Sequence, residues 1–344
     1  MSTSSKMTLG RAVSVALAAG TLFVCQSAGH ADQTSAGSFA LRNQNPLLQV
    51  FGLPIFQSAN LTQVGGTNYS LILDLANHAD AGQSSKERFS IDGESYFLTF
   101  SIRQRTTDWL ELGLDIPVVA HADGFMDGMI RGWHDTLGIT NSKRSAPDNI
   151  LQFSYARDDL QLVALESPAH GIGDIQLTAG IPIRQPIDRR TIVTLRSSLK
   201  LPTGDSDRLL GSGAADLSAG LHVAKKFQVR GLDVQLNALA GVSLLGDGTV
   251  LPELQRDAVM FGGAAASWRV GQRFGLTTQI YWQDSYFTSD IDELGGKSLQ
   301  LAMGATYRTR TSTLMRFAIV EDVSANATTD FALHLSAVFY GGRQ

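Results

Sequence analysis

Between Arg189 and Gly246, apolar and polar residues alternate with a period of two, and this pattern restricts the fold more than any other feature. Val193, Leu195, Leu199 and Leu201 hold odd positions, while Thr194, Arg196, Ser198 and Lys200 lie between them. After a Gly- and Pro-rich loop the alternation resumes, with Leu217, Ala219, Leu221 and Val223 set against Asp216, Ser218, His222 and Lys226. Beyond a short basic turn, Leu232, Val234, Leu236 and Ala238 oppose Asp233, Gln235 and Asn237. Successive strand side chains point to opposite faces, so each set owns one face. Strands of about ten residues with one apolar and one charged face are what a transmembrane β-barrel requires, lipid outside and polar lumen inside. A soluble β-sandwich also alternates, but its strands are shorter and its loops more even.

The membrane reading has to rest on strands, because no stretch after residue 31 approaches the ~20 apolar residues of a membrane helix. Residues 1–31 have the form of a secretory signal, with Lys6 and Arg11 ahead of an apolar run Ala12–Val24 and Gly29-His30-Ala31 before the expected cut. The single cysteine, Cys25, follows Val24, whereas a lipoprotein box needs a small residue there. Cleavage after Ala31 leaves a mature chain free of disulfide chemistry in an oxidising periplasm. Residues 32–65 form a separate N-terminal segment ahead of a barrel over 66–344. In it Leu47, Leu48, Val50, Phe51, Leu53, Ile55 and Phe56 cluster around Pro46 and Pro54, which oppose a long strand or helix. Such a segment either enters the lumen as a plug or lies across the periplasmic mouth.

From residue 66 the expected fold is all-β, a single antiparallel transmembrane barrel of about 14 strands. Short connections (Arg105–Asp108, Arg157–Asp159, Gln185–Asp188, Val270–Gln272, Arg308–Thr311) mostly alternate with longer ones (122–148, 202–213, 245–256, 285–296, 323–329). Outer-membrane barrels show this asymmetry, with short periplasmic turns and long external loops. The weakest pair, 149–157 and 159–166, would drop out as a hairpin within a loop, leaving 12 strands as the fallback. Leu98, Phe100, Ile102, Leu112, Leu114, Leu301, Phe317, Leu333 and Leu335 share the expected lipid face. The opposite parity carries Arg103, Arg105, Glu111, Asp115, Arg196, Lys200, Arg308, Arg316 and His334. An Arg or Lys at the bilayer midplane costs about 2–4 kcal/mol, so register is enforced. Leu199→Arg should therefore abolish folding and Thr194→Arg should be tolerated. Trp109, Trp268, Trp282, Tyr307 and Tyr340 near strand ends suit interfacial girdles.

Candidate lumen and binding residues are Arg103, Arg105, Glu111, Asp115, Arg196, Lys200 and Arg316, together with Met129, Ile130, Arg131, Trp133, His134 and Asp135. The second set lies in His121–Gly138, where Phe125, Met129, Ile130, Trp133 and Leu137 recur at near-helical spacing. Such a helix can fold inward as a lid, sit on the rim against lipopolysaccharide, or pack on neighbouring loops. His134-Asp135 is no catalytic site by adjacency alone, since nucleophilic catalysis needs a serine oriented by the histidine, and no Gly-x-Ser-x-Gly elbow is present. Asp290-Ile-Asp-Glu293 lacks the spacing of a helix-loop-helix calcium site, though loop acids can bridge divalent cations to lipopolysaccharide phosphates. Leu201-Pro-Thr-Gly-Asp205 and Gly211–Asp216 lack the Lys-Ser/Thr ending of a phosphate loop and fit a tight hairpin instead. The net charge of −4 without a basic patch excludes nucleic acid as a partner, and no cofactor motif is present. The expected partners are outer-membrane lipid, lipopolysaccharide and a small-molecule solute.

Gly52-Leu-Pro54, Gly124–Asp135, Leu-Pro-Thr-Gly-Asp205 with Gly211–Asp216, Gly246–Pro252 and Val320-Glu-Asp322 occur in the order seen in a family of Gram-negative outer-membrane barrels. The chain resembles that family, a domain of unknown function, from about residue 45 to 340. The Pro-Thr-Gly-Asp hairpin also resembles outer-membrane proteins linked to phenol meta-cleavage pathways, which are similar to long-chain fatty-acid channels with an N-terminal plug. The resemblance implies a channel or uptake protein for small solutes, hydrophobic ones among them. It assigns no site residues. A non-transporting protein that organises the envelope, and a lipid-modifying enzyme, are the competing classes.

Overall fold

A computed structural model describes residues 37–137, 150–183, 190–311, 313–323 and 328–341, with side chains of 133–137 excepted. The expected signal 1–31 lies outside these residues. Fifteen strands form one antiparallel sheet: β1 (Thr67–Gln83), β2 (Glu87–Gln104), β3 (Glu111–Ala122), β4 (Gln152–Arg157), β5 (Leu160–Leu165), β6 (Ala169–Ile172), β7 (Gln176–Pro182), β8 (Thr191–Lys200), β9 (Asp216–Val229), β10 (Leu232–Leu244), β11 (Ala258–Arg269), β12 (Phe274–Gln283), β13 (Ser298–Arg308), β14 (Leu314–Asp322) and β15 (Phe331–Gly341). β1 pairs with β15 from Thr67↔Gly341 to Asn77↔Phe331, which closes the ring.

Twelve strands make the ring, because β4, β5 and β6 stand outside it. The fallback count is thus the right one. β4 pairs with Glu87–Asp92 at the end of β2 away from the short β2–β3 turn, and β5 folds back on β4, so this hairpin extends the wall at that end. β6 continues the line of β7 along β3 after a break at Gly173–Ile175.

Side-chain parity follows the sequence pattern. Leu195 and Leu199 on β8 are 38% and 39% exposed, while Thr194 and Lys200 on the opposite parity are 0% and 1% exposed. Phe274 and Tyr307 tilt together on the outer face, ring centroids 4.9 Å apart, at the short-turn end where a girdle belongs. Tyr340 departs from the girdle expectation. It shares the inward parity of His334 and Ser336 and lines a cavity within the barrel.

The helix α1 (Asp127–Leu137) does not enter the lumen. Met126 and Ile130 pack on Phe331, Leu75, Ile319 and Leu333, which lie on the outward parity of β15, β1 and β14. Glu94, on the outward parity of β2, fixes the approach by accepting the backbone N–H groups of Phe125 (2.6 Å) and Met126 (2.5 Å). Gly124 sits against Glu94 with φ of 80°, a place and conformation that suit glycine. Asn77 completes the seam by donating to Asp127 at 2.9 Å.

Candidate functional site

The lumen is filled by a piece of chain that is not part of the wall. From Gly37 the N-terminal segment climbs from the short-turn end, reverses at Pro46–Val50 and descends to Thr62 before β1. Asn45 shapes the reversal: its side chain accepts Leu47 N–H (3.0 Å) and its carbonyl accepts Leu48 and Gln49 N–H (2.9 and 2.8 Å). The limbs are tied to each other by Phe56 N–H donating to Leu41 C=O at 2.8 Å. Leu47, Val50, Phe51 and Phe56 are at most 1% exposed. Of the two placements open to this segment, it occupies the plug position.

Two kinds of contact hold the plug. Its apolar reversal packs into a core built by external loops, with Phe51 stacked on Tyr286 (4.9 Å) and edge-on to Phe287 (5.6 Å), and with Leu209, Val250 and Leu254 in the same cluster. Below that level, inward wall side chains grip the plug backbone. Gln279 accepts Phe39 N–H (2.8 Å) and donates to Phe39 C=O (3.2 Å). Tyr281 donates to Pro54 C=O (3.3 Å), His222 to Gln57 C=O (2.8 Å) and Thr194 to Ala59 C=O (2.6 Å). Buried backbone polar groups need partners wherever they lie, and here the β-barrel wall supplies them.

The densest contact is at Lys200, the last residue of β8. Its ammonium lies 2.8 Å from both Asp174 and Asp216, donates to Val50 C=O at 2.9 Å and reaches the Ser212 hydroxyl. Asp174 also accepts the N–H groups of Gly204 (2.8 Å) and Ser212 (3.1 Å). Asp216 accepts those of Gly52 (2.9 Å) and Gly246 (3.0 Å). One buried cation thus joins the plug, the β8–β9 loop, the β10–β11 loop and the β6–β7 break. A Cβ on Gly52 would stand 2.9 Å from that of Lys200, so the plug can come this close only as glycine. Gly52-Leu-Pro54, Leu201–Asp205, Gly211–Asp216 and Gly246 are far apart in sequence and meet here.

The other expected lumen residues form a second tier nearer the short turns. Arg103 binds Asp115 with both nitrogens, at 2.8 and 2.7 Å. Arg196 pairs with Glu111 at 2.9 Å and donates to Ser58 and Asn60 carbonyls at 3.1 Å each. Glu111 accepts Thr62 N–H (2.5 Å), and Arg105 donates to Thr62 C=O (3.2 Å) where the plug leaves the lumen. Arg316 on β14 lines the same region. Met129, Ile130 and Arg131 belong to the helix on the outer wall and are not lumen residues. Trp133, His134 and Asp135 sit on that same helix, and their side chains lie outside the described residues.

Sequence reading missed three features. Asp174 and Asp216 were not recognised as partners of Lys200, and Asp74 binds His334 at 2.7 Å inside the wall. His78, Ser95 and His121 form a chain of hydrogen bonds (2.9 and 2.8 Å) that ends on Leu209 C=O (3.1 Å). All three are at most 1% exposed, so the serine is a buried link to the β8–β9 loop and not an accessible nucleophile. Inward strand parity was the available signal for all of these residues except Asp174, which lies in the break between β6 and β7. Among the described residues no three His, Cys, Asp or Glu side chains converge on a metal-sized site.

The fold superposes on the COG4313 outer membrane channel from Pseudomonas putida F1 with a TM-score of 0.52 and 14% identity, over 85% of this chain and 98% of that one. The toluene transporter TbuX of Ralstonia pickettii gives 0.40 and 12% over 90% and 96% of the two chains. The NanC porin gives 0.42 and 6% over 81% and 100%. Only the first of these TM-scores exceeds 0.5, and at 14% identity that likeness speaks to fold alone. No curated protein matches the sequence. Residues 15–340 match the model of a family described as "Protein of unknown function (DUF3187)", so the chain belongs to that family.

Proposed function

We propose that this protein is an outer-membrane channel for uptake of small solutes, hydrophobic ones among them, and that its N-terminal plug holds it shut. The supporting observation is that the lumen is filled by a separate segment, gripped largely through its backbone, and not by the wall's own side chains. Eight-stranded barrels fill themselves, while sixteen to eighteen strands leave an aqueous pore. Twelve strands lie between, so a stopper decides whether the lumen conducts. If the apolar reversal of the plug withdraws, Phe261, Tyr281, Tyr286 and Phe287 are left lining the external chamber. An apolar constriction of this kind resists hydrated ions and accepts an apolar solute. A barrel that served only as an anchor would gain nothing from a removable core.

The test is conductance in planar bilayers. Wild-type protein should conduct weakly, and deletion of residues 37–62 should raise conductance several-fold while the barrel keeps its heat-dependent gel mobility. A folded plugless barrel that stays silent would overturn the channel reading and favour the envelope-organising one.

A further inference from the structure

The structure points to a binding site for a small amphiphilic organic anion in the vestibule beneath the plug, an inference that rests on the channel reading and names its solute class. The vestibule is a cavity of about 240 Å³ at the short-turn end of the lumen, between the plug and the wall. Four cations line it, Arg103, Arg196, Lys226 and Arg316, against one carboxylate, Glu111. Asp115 and Glu111 neutralise Arg103 and Arg196. Among the described residues, no hydrogen bond or ion pair engages the side chain of Arg316 or of Lys226, and the buried Nε of Arg316 is unsatisfied. Both lie on inward parity, on β14 and β9, and so stand on different sides of one chamber.

Arg316 is half-buried, with its Nε out of reach of water and without an acceptor; such a group is costly, and a bound anion reduces that cost. Its planar fork suits a carboxylate, which it can engage through two parallel hydrogen bonds. The rest of the lining is apolar in part, with Ile55, Phe56, Ile72 and Val338 facing the same space. An inorganic ion would leave those surfaces without a partner, and a neutral hydrocarbon would leave Arg316 without one. A molecule with an acid group on a compact apolar body satisfies both. The volume falls below the roughly 300–1,000 Å³ of sites for drug-sized ligands, which limits the body to about one ring.

Full-length mature protein, folded in non-ionic detergent, should be titrated calorimetrically with benzoate, benzyl alcohol and inorganic phosphate. Benzoate should bind saturably, and at least tenfold more tightly than the other two. Arg316→Gln should weaken benzoate at least tenfold and Arg316→Lys should recover part of the loss, with gel mobility reporting that each variant is folded. Unchanged benzoate affinity in Arg316→Gln overturns the site. Phosphate binding as tightly as benzoate, or benzyl alcohol doing so, overturns the amphiphilic specificity. The channel reading is judged separately: benzoate binding beside a silent plugless barrel removes conduction and keeps the site, whereas a conducting plugless barrel without benzoate binding removes the site alone.

Discussion

Lys200 carries more of the closed state than any other residue, because two carboxylates and a plug carbonyl all converge on one ammonium. Removing one partner of a buried ionic cluster leaves the others uncompensated and costs about 3–5 kcal/mol. Lys200→Met should therefore lower the urea midpoint of the folded barrel and raise its basal conductance together. Adding Asp174→Asn and Asp216→Asn should restore most of the lost stability, since no unpaired charge then remains. A Lys200→Met protein as stable and as silent as wild type would rule out the latch. Two of the three charges in this cluster were legible in the sequence: Lys200 and Asp216 fall on inward parity in regular strands. Asp174 lies at the break between β6 and β7, where no period exists to read. The expectation for Thr194→Arg is reversed for a related reason. Parity places Thr194 inside correctly, but its hydroxyl donates to Ala59 of the plug at 0% exposure, so an arginine there has no room while the plug is seated.

Among the elements, α1 separates what periodicity can say from what it cannot. Near-helical spacing in 125–137 identifies an amphipathic helix, and one forms over Asp127–Leu137. The same spacing is silent on which apolar surface receives it. A barrel offers two, and the lumen is already occupied by the plug. The helix takes the outer wall, where Met126 and Ile130 cover Leu75, Ile319 and Leu333. Substituting Ile130 by Asp should free the helix, which limited proteolysis would detect as new cleavage within 123–137. Conductance should stay at the wild-type level, because α1 closes nothing. A several-fold rise in conductance would return the helix to the lumen. The β4–β5 hairpin teaches a similar lesson. Its strands alternate as barrel strands do, but Glu87–Asp92 of β2 extend beyond the level reached by β3, and that free edge recruits β4.

For the molecule as a whole, the decisive property is that the wall's inward charges, Arg316 and Lys226 apart, close among themselves. Lys200 has Asp174 and Asp216, Arg196 has Glu111, Arg103 has Asp115 and His334 has Asp74. Withdrawing the plug breaks its backbone and side-chain hydrogen bonds and takes the buried Arg42 away from Asp74, Asp115 and Asp174, but separates none of these pairs, so the emptied barrel keeps a consistent register and should remain folded. The geometry also gives the plug a side. Both its limbs reach the vestibule at the short-turn end, while the opposite end is roofed by Leu209, Leu254, Phe287 and Leu294 from the external loops. A free peptide of residues 37–62 should therefore block a barrel lacking that segment only from the short-turn side of a planar bilayer. The native tether supplies an effective concentration in the millimolar range, so free peptide must approach that level before it competes with the open state. Block should be lost when the peptide carries Gly52→Val, because the added side chain meets Lys200 and Asp216. Equal block from both sides, or block by the Gly52→Val peptide, would mean that the segment obstructs the pore without entering the seat in which Gly52 N–H meets Asp216.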